Sequence, residues 1–333
     1  MSSTPPARSS RRSHRSRIVL RLVAALAALL PLVLPNYYLH ILTITLVYAA
    51  LASAWNIVGG IAGQISLAHS LFVGCGAMLS SALLVRYGLN MWLGVLVSAA
   101  AAAALGAAVS FIDYRFRLGH LSFALITMAF AEMAEIYVTG TEFFGGASGL
   151  FLPKDTGNFL AFQFGGGRGA FWVMLVVTAL CLLVNLAILC SPLGYYLRSI
   201  RDNENAAQAI GVGLLRNKVL AMMISAVLTA LIGAIYARYL AFVDPYLLVS
   251  PVLTVEIILF ATVGGLGSVV GPALGAFLLA PLGEILRGHF GGSLPGLHYF
   301  IYGAIVVSVI LISPAGIWPF IEARLKKKDA KAA

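Results

Sequence analysis

"FWVMLVVTALCLLVNLAILC" occupies Phe171–Cys190 without a charged residue. Its length is close to the ~20 residues that an α-helix needs to cross a hydrocarbon core about 30 Å thick. Ile18–Leu34, Met91–Phe111 and Val219–Ala237 are runs of the same kind. A soluble domain is typically about 25% charged. This chain of 333 residues is 10% charged and 60% hydrophobic, with a mean hydropathy of +0.95. It has too little polar surface for a dissolved globule. The fold class read from it is all-α: a polytopic integral membrane helical bundle.

Breaking the apolar runs at proline, glycine and charge predicts about ten spans. They lie near 18–34, 39–58, 65–85, 91–111, 121–139, 170–190, 218–238, 252–266, 269–286 and 298–313. The eighth and ninth are joined by "GGLGSVVG", Gly264–Gly271, where dense glycine marks close backbone approach or a broken helix. Charge next to the spans sets orientation, because lysine and arginine stay on the cytoplasmic side. With both termini cytoplasmic, Arg86, Lys154, Arg168, Arg238 and Arg287 fall outside, and the other seventeen of the 22 lysines and arginines fall inside. The domain reading follows: a basic N-terminal tail at 1–17, a transmembrane domain at 18–313 with a cytoplasmic loop at 191–217, and a basic C-terminal tail at 314–333. "RSSRRSHRSR" before the first run resembles a signal peptide, with Arg11-Arg12 as a twin-arginine pair. The run lacks a small-x-small cleavage site, so it reads as a retained span.

The net charge of +10 sits beside the spans, which points to membrane lipid and not to nucleic acid. Cys75, Cys181 and Cys190 have no metal-ligand spacing and read as packing residues. There is no G-x-x-x-x-G-K-[ST], no H-E-x-x-H and no G-x-S-x-G. The pattern calls for no cofactor, no metal and no catalytic residue.

One charged strip interrupts this apolar chain. "SIRDNENAAQAIGVG", Ser199–Gly213, holds Arg201, Asp202 and Glu204. Asp202 is placed to cap a short helix over Asn203–Ile210. Glu204 suits the positive end of its dipole, and Gly211 is able to end it in the left-handed conformation. Ala206, Ala207 and Ile210 form a small apolar face. A helix this short does not hold itself in water. It is either an ordinary loop helix or an element that docks into a partner's groove.

Polar residues within the spans are few. Gln64, Ser66, His69 and Ser70 share the span within 55–84, and Glu132, Glu135 and Glu256 lie in the outer half of theirs. A carboxylate is costly in a membrane, so each should face protein or water. They line either a polar path open to the outer side or helix–helix contacts. Gly267, Gly271 and Gly275 recur every fourth residue, which predicts a small face for tight helix packing.

Four segments carry a family resemblance: "GQISLAHSLFVGCGAM" (63–78), "ITMAFAEM" (126–133) with "GGASGL" (145–150), "SPLGYYLRSIRDNENAAQAIGV" (191–212) and "VGGLGSVVGPALGA" (263–276). Over about residues 40–315 the chain resembles the permease subunits of branched-chain amino-acid ATP-binding-cassette importers, of the M type. The resemblance implies a non-enzymatic permease in the bacterial inner membrane that moves branched-chain amino acids inward. It also implies an H-type permease subunit completing the pore, two cytoplasmic ATPases and a periplasmic solute-binding protein. Arg201, Asp202, Glu204, Ala206, Ala207 and Gly211 would then couple to the ATPase, and Gln64, Ser66, His69, Glu132, Glu135 and Glu256 would lie along the path. Relatives of such permeases carry urea or short amides, which is one alternative. An ion-coupled secondary transporter using the three glutamates is the alternative of another class.

Overall fold

The computed structural model describes residues 31, 34–290, 297–313, 316–322 and 324. The expected N-terminal tail lies outside them, as do most of the expected first span and most of the C-terminal tail.

The described chain is mostly helical. Its centre is α1 (Asn36–Ile61), almost wholly buried. A helix that is apolar on every side belongs in the interior, and "ILTITLVYAALASAW" leaves α1 no polar face. Its hydroxyls are satisfied within the helix: Thr43 donates to the Leu39 carbonyl, Thr45 to Ile41 and Ser53 to Ala49. Around α1 stand α2 (His69–Tyr87), α3 (Met91–Phe116), α4 (His120–Gly140) and α5 (Gly167–Cys190). Two short helices follow, α6 (Pro192–Asp202) and α7 (Glu204–Ala209). The chain then re-enters as α8 (Leu214–Leu240), makes a single turn at Pro245–Leu248, and continues as α9 (Pro251–Gly264), α10 (Gly271–Phe290) and α11 (Leu297–Ile312). Helices α5, α8, α9 and α10 pack directly on α1, and α3 lies along α8.

Seven helical stretches among the described residues are long and apolar enough to cross a membrane, the last being Pro245–Gly264. They correspond to the expected spans from 39–58 to 252–266. The expected spans 269–286 and 298–313 are the helices α10 and α11; α10 carries Pro281 within it, and α11 is shorter.

Alternate connections gather at opposite ends of the bundle. At one end Arg86 donates to the carbonyls of Glu142 and Phe143, Asn90 to Leu160, and Trp92 Nε1 to Phe159. There β1 (Leu150–Phe151) pairs antiparallel with β2 (Phe242–Val243), and Arg238 donates to the Pro153 carbonyl at 2.7 Å. The segment between α4 and α5 is shaped by Asp155. Its carboxylate accepts the N–H groups of Gly157, Phe164, Gly165 and Gly166 at 2.8–3.3 Å. The 191–213 strip lies at the other end.

Two expectations need correction here. The span 65–85 begins as a helix only at His69, because Gly63–Ala68 is not helical. The triplet Gly267, Gly271 and Gly275 is not one helix face. Gly267 lies in the turn before α10, at φ +72°. Gly275 does serve close packing: a Cβ there would overlap the Phe260 carbonyl of α9.

Candidate functional site

The strip begins with Pro192 in the first turn of α6, where its missing N–H costs nothing. Gly194, Leu197 and Ile200 anchor α6 on its buried face. This helix runs through Asp202, so Asp202 is not the cap that its sequence position suggests. The chain turns extended at Asn203 (φ −163°, ψ 109°), and the Asn203 carboxamide oxygen accepts the Ala206 N–H at 3.0 Å. Helix α7 is therefore Glu204–Ala209, slightly shorter than the expected Asn203–Ile210. Gly211 follows at φ +88°, and the Val212 N–H returns to the Ala207 carbonyl at 3.0 Å. This is the left-handed ending expected of glycine.

The expected apolar face of α7 is divided. Ala207 is buried against its own chain, Ala206 is exposed, and Ile210 is 78% exposed. Arg201 and Glu204, expected to couple to a partner, are also engaged within the chain. Arg201 Nη1 donates to the Gly60 carbonyl of α1 at 3.1 Å, and its Nε lies 3.5 Å from Asp202. Glu204 Oε1 meets Lys218 Nζ at 2.5 Å.

Lys218 opens a buried set that sequence reasoning missed. Its ammonium also lies 2.9 Å from Asp113 Oδ2, and both side chains are fully enclosed. The same Asp113 oxygen accepts the Gln64 amide at 2.7 Å. Asp113 ends one apolar run and Lys218 begins another. Opposite charges at run ends that share a membrane face are the signal that would have paired them. Beside them a cleft of about 500 Å³ opens between the 114–120 turn and α7.

Gln64 and Ser66 sit in the non-helical break Gly63–Ala68 between α1 and α2, not on a helix with His69. Buried backbone left outside a helix must be satisfied by other groups of the protein. Trp55 Nε1 donates to the Ser66 carbonyl at 2.9 Å, and Thr127 Oγ1 accepts the Leu67 N–H at 2.9 Å. At the start of α2, Thr254 Oγ1 accepts the Ser70 N–H at 2.7 Å. His69 is enclosed beside Trp55 and Phe72. Its Nε2 lies 2.8 Å from Ser225 Oγ, and that hydroxyl gives its one proton to the Ala54 carbonyl at 2.7 Å. Nε2 therefore carries the imidazole proton.

The three glutamates do not converge. Glu132, expected to be buried, is exposed on α4 of this chain, among Leu125, Met128 and Ile136 on the same outward side. Glu135 is half-buried and reaches Ser250. Glu256 accepts the Tyr48 hydroxyl at 2.8 Å in a separate pocket with Glu284, Arg287 and Tyr302. Among the described residues, no three His, Cys, Asp or Glu side chains come together as a metal site.

Residues 37–310 match the family described as "Branched-chain amino acid transport system / permease component". Among known proteins, the chain is similar to the high-affinity branched-chain amino acid transport system permease protein LivM of Escherichia coli (strain K12). The two are 26% identical over 343 residues, covering 96% of this chain and 78% of that protein. A probable LivM of Methanocaldococcus jannaschii is 27% identical over 55% of this chain and 56% of its own length. The ribose import permease protein RbsC of Haemophilus influenzae is 26% identical, covering 82% of this chain and 85% of RbsC. Among solved structures, PsaBC from Streptococcus pneumoniae in complex with Fab aligns with a TM-score of 0.44 at 18% identity, over 82% of this chain and 89% of that one.

Proposed function

This chain belongs to the branched-chain amino acid transport permease family, and from that premise we propose that it is one membrane-spanning half of an ATP-driven importer of branched-chain amino acids. The observation that carries the reading is the family match across residues 37–310, which takes in the strip at 191–212. An ion-coupled carrier has no need of such a strip, whereas a permease without a P-loop must receive its energy from another polypeptide.

In this reading the chain sits in the bacterial inner membrane with about ten spans and both ends cytoplasmic. Residues 18–313 form the permease domain between two basic tails. An H-type permease subunit completes the pore and covers the α4 face that carries Glu132. A carboxylate facing lipid is costly, so its exposure in the single chain supports a protein or water neighbour. Two cytoplasmic ATPases dock at the 191–213 end, and a periplasmic binding protein delivers solute at the other.

The test is uptake by the reconstituted complex of this chain, an H-type subunit, the ATPases and the binding protein. Uptake of labelled leucine, isoleucine or valine should require ATP. Uptake driven by an ion gradient without the ATPases would overturn the reading, and selective uptake of urea would replace the substrate.

A further inference from the structure

The 191–213 strip is attached to the bundle both just before and within the break between α1 and α2. Before the break, Arg201 holds the Gly60 carbonyl at 3.1 Å. Within it, Gln64 is bonded to Asp113, Asp113 to Lys218, and Lys218 to Glu204 at the start of α7. Four elements thus meet at the Asp113–Lys218 pair: the end of α3, the start of α8, the break, and α7.

The two contacts of Lys218 differ in kind. Asp113 is 2% exposed and Lys218 4%, while Glu204 is 39% exposed. Separating the buried pair would strand a charge away from water, which is strongly unfavourable. Separating Glu204 returns a carboxylate to solvent, where an ion pair is worth little. When α7 is pulled, the contact that yields is therefore Glu204–Lys218, and the buried half stays whole. The cleft beside Glu204 is lined by Arg115, Arg117 and His120, so the released carboxylate enters a basic, hydrated space.

We infer that Lys218 is a positioning residue of transport, holding α3, α8 and the break together through Asp113 while Glu204 acts as a releasable tether for α7. The inference rests on the reading that this strip meets the ATPase. Displacement of α7 by a partner would then be felt at Gly60, just before the break, and at Gln64 within it, and so at the start of α2.

The experiment uses the assembled complex in proteoliposomes and measures three quantities: ATPase co-purification, ATP hydrolysis, and solute moved per ATP. Glu204→Gln keeps the shape and removes the charge. It should retain the ATPase and its hydrolysis while solute per ATP falls several-fold; Glu204→Asp should restore part of that loss. Lys218→Met alone leaves Asp113 buried and unpaired and should reduce the amount of folded protein. The neutral pair Asp113→Asn with Lys218→Met avoids the stranded charge and should assemble with the same loss of coupling. Wild-type solute per ATP in Glu204→Gln would overturn the inference. So would release of the ATPase by Glu204→Gln, since Glu204 would then be a docking group. Failure of the docking reading itself is distinguishable: the ATPase would stay bound when exposed residues of the strip such as Ile210 are replaced.

Discussion

Asn56 and Asn185 bond to each other in the closed interior of the bundle, Asn56 Nδ2 to Asn185 Oδ1 at 3.0 Å. The pair fixes more than two helices. Asn56 also donates to the Ser268 carbonyl at 3.0 Å and accepts the Gly267 N–H at 2.9 Å, which ties the turn between α9 and α10 to α1. Asn185 donates to the carbonyls of Ser53 and Cys181 at 2.8 and 2.9 Å. Asn56→Leu leaves three partners unpaired. A buried polar group without a partner costs about 1–3 kcal/mol, so the variant should unfold several degrees below wild type in detergent. Asn56→Asp should be at least as damaging, because two acceptors would face a carboxylate. A thermal midpoint within a degree of wild type for both would show that the turn is held by other contacts.

Gly275 brings α10 against α9 at backbone distance. A methyl group there has no flexible side chain to displace, since its nearest neighbour is the Phe260 carbonyl. Gly275→Ala should therefore separate the helices or distort them, at about the 1–3 kcal/mol typical of overpacking. Gly303, with open space around its Cβ position, is the control: Gly303→Ala should leave the thermal midpoint unchanged.

Asp155 makes the segment between α4 and α5 sensitive to acid. Partial burial raises the pKa of its carboxyl, but the N–H groups of Gly157, Gly166, Gly165 and Phe164 outweigh this and hold it below the usual carboxylate value. A group whose pKa is lowered in the folded state stabilises above its unfolded pKa of about 3.9, and that contribution is lost as pH falls through the folded value. Hydrogen-exchange protection of amides 164–166, corrected for intrinsic rate, should hold down to the carboxylate range and collapse below it. Asp155→Asn should abolish the protection at neutral pH as well. Equal protection in the variant would remove Asp155 from this role.

How much of this was readable in advance depended on the kind of signal. The run Phe171–Cys190 became the helix Gly167–Cys190, because a long apolar run has one low-energy answer in a membrane. The break after Gly63 was hidden, because "ISLA" is as apolar as the helices beside it; it is held open by Trp55 and Thr127 from elsewhere in the chain. The cap fell on Asn203 where sequence suggests Asp202. The two residue types cap about equally well, and burial of Leu197 and Ile200 carries α6 one residue further. Asp113 and Lys218 could be paired only by knowing which run ends meet. Glu132 is exposed in the single chain, because nothing in a single sequence says which side of α4 this chain's own helices cover.

The orientation of the bundle is open to a direct measurement. Gln208 and Asn158 are both exposed and lie at opposite ends. In intact cells, an impermeant thiol reagent should modify a cysteine at Asn158 and spare one at Gln208, with Cys75, Cys181 and Cys190 replaced by alanine. Labelling of position 208 from outside would invert the orientation and remove the strip from the cytoplasm.

Ile210 is the side chain on which docking of the strip should turn. It stands 78% exposed at the end of α7, while Ala207 on the same helix is 3% exposed and belongs to the chain's own packing. Isolated exposed apolar residues are common, but this one ends a rigid short helix fixed by Asn203 at its start and Gly211 at its finish. A large apolar side chain gains most when a partner's pocket excludes water from it. Ile210→Asp should therefore release the ATPase while the permease still accumulates in the membrane, because most of the side chain is exposed and little of the chain's own packing rests on it. Ala207→Arg should fail differently: an arginine has no room against the bundle, so the protein itself should be lost. Arg201→Ala should give an intermediate defect, since it frees the Gly60 carbonyl but leaves α7 in place. Membrane abundance measured beside ATPase co-purification separates the three cases. Full ATPase retention and uptake in Ile210→Asp would mean that the partner grips the strip elsewhere.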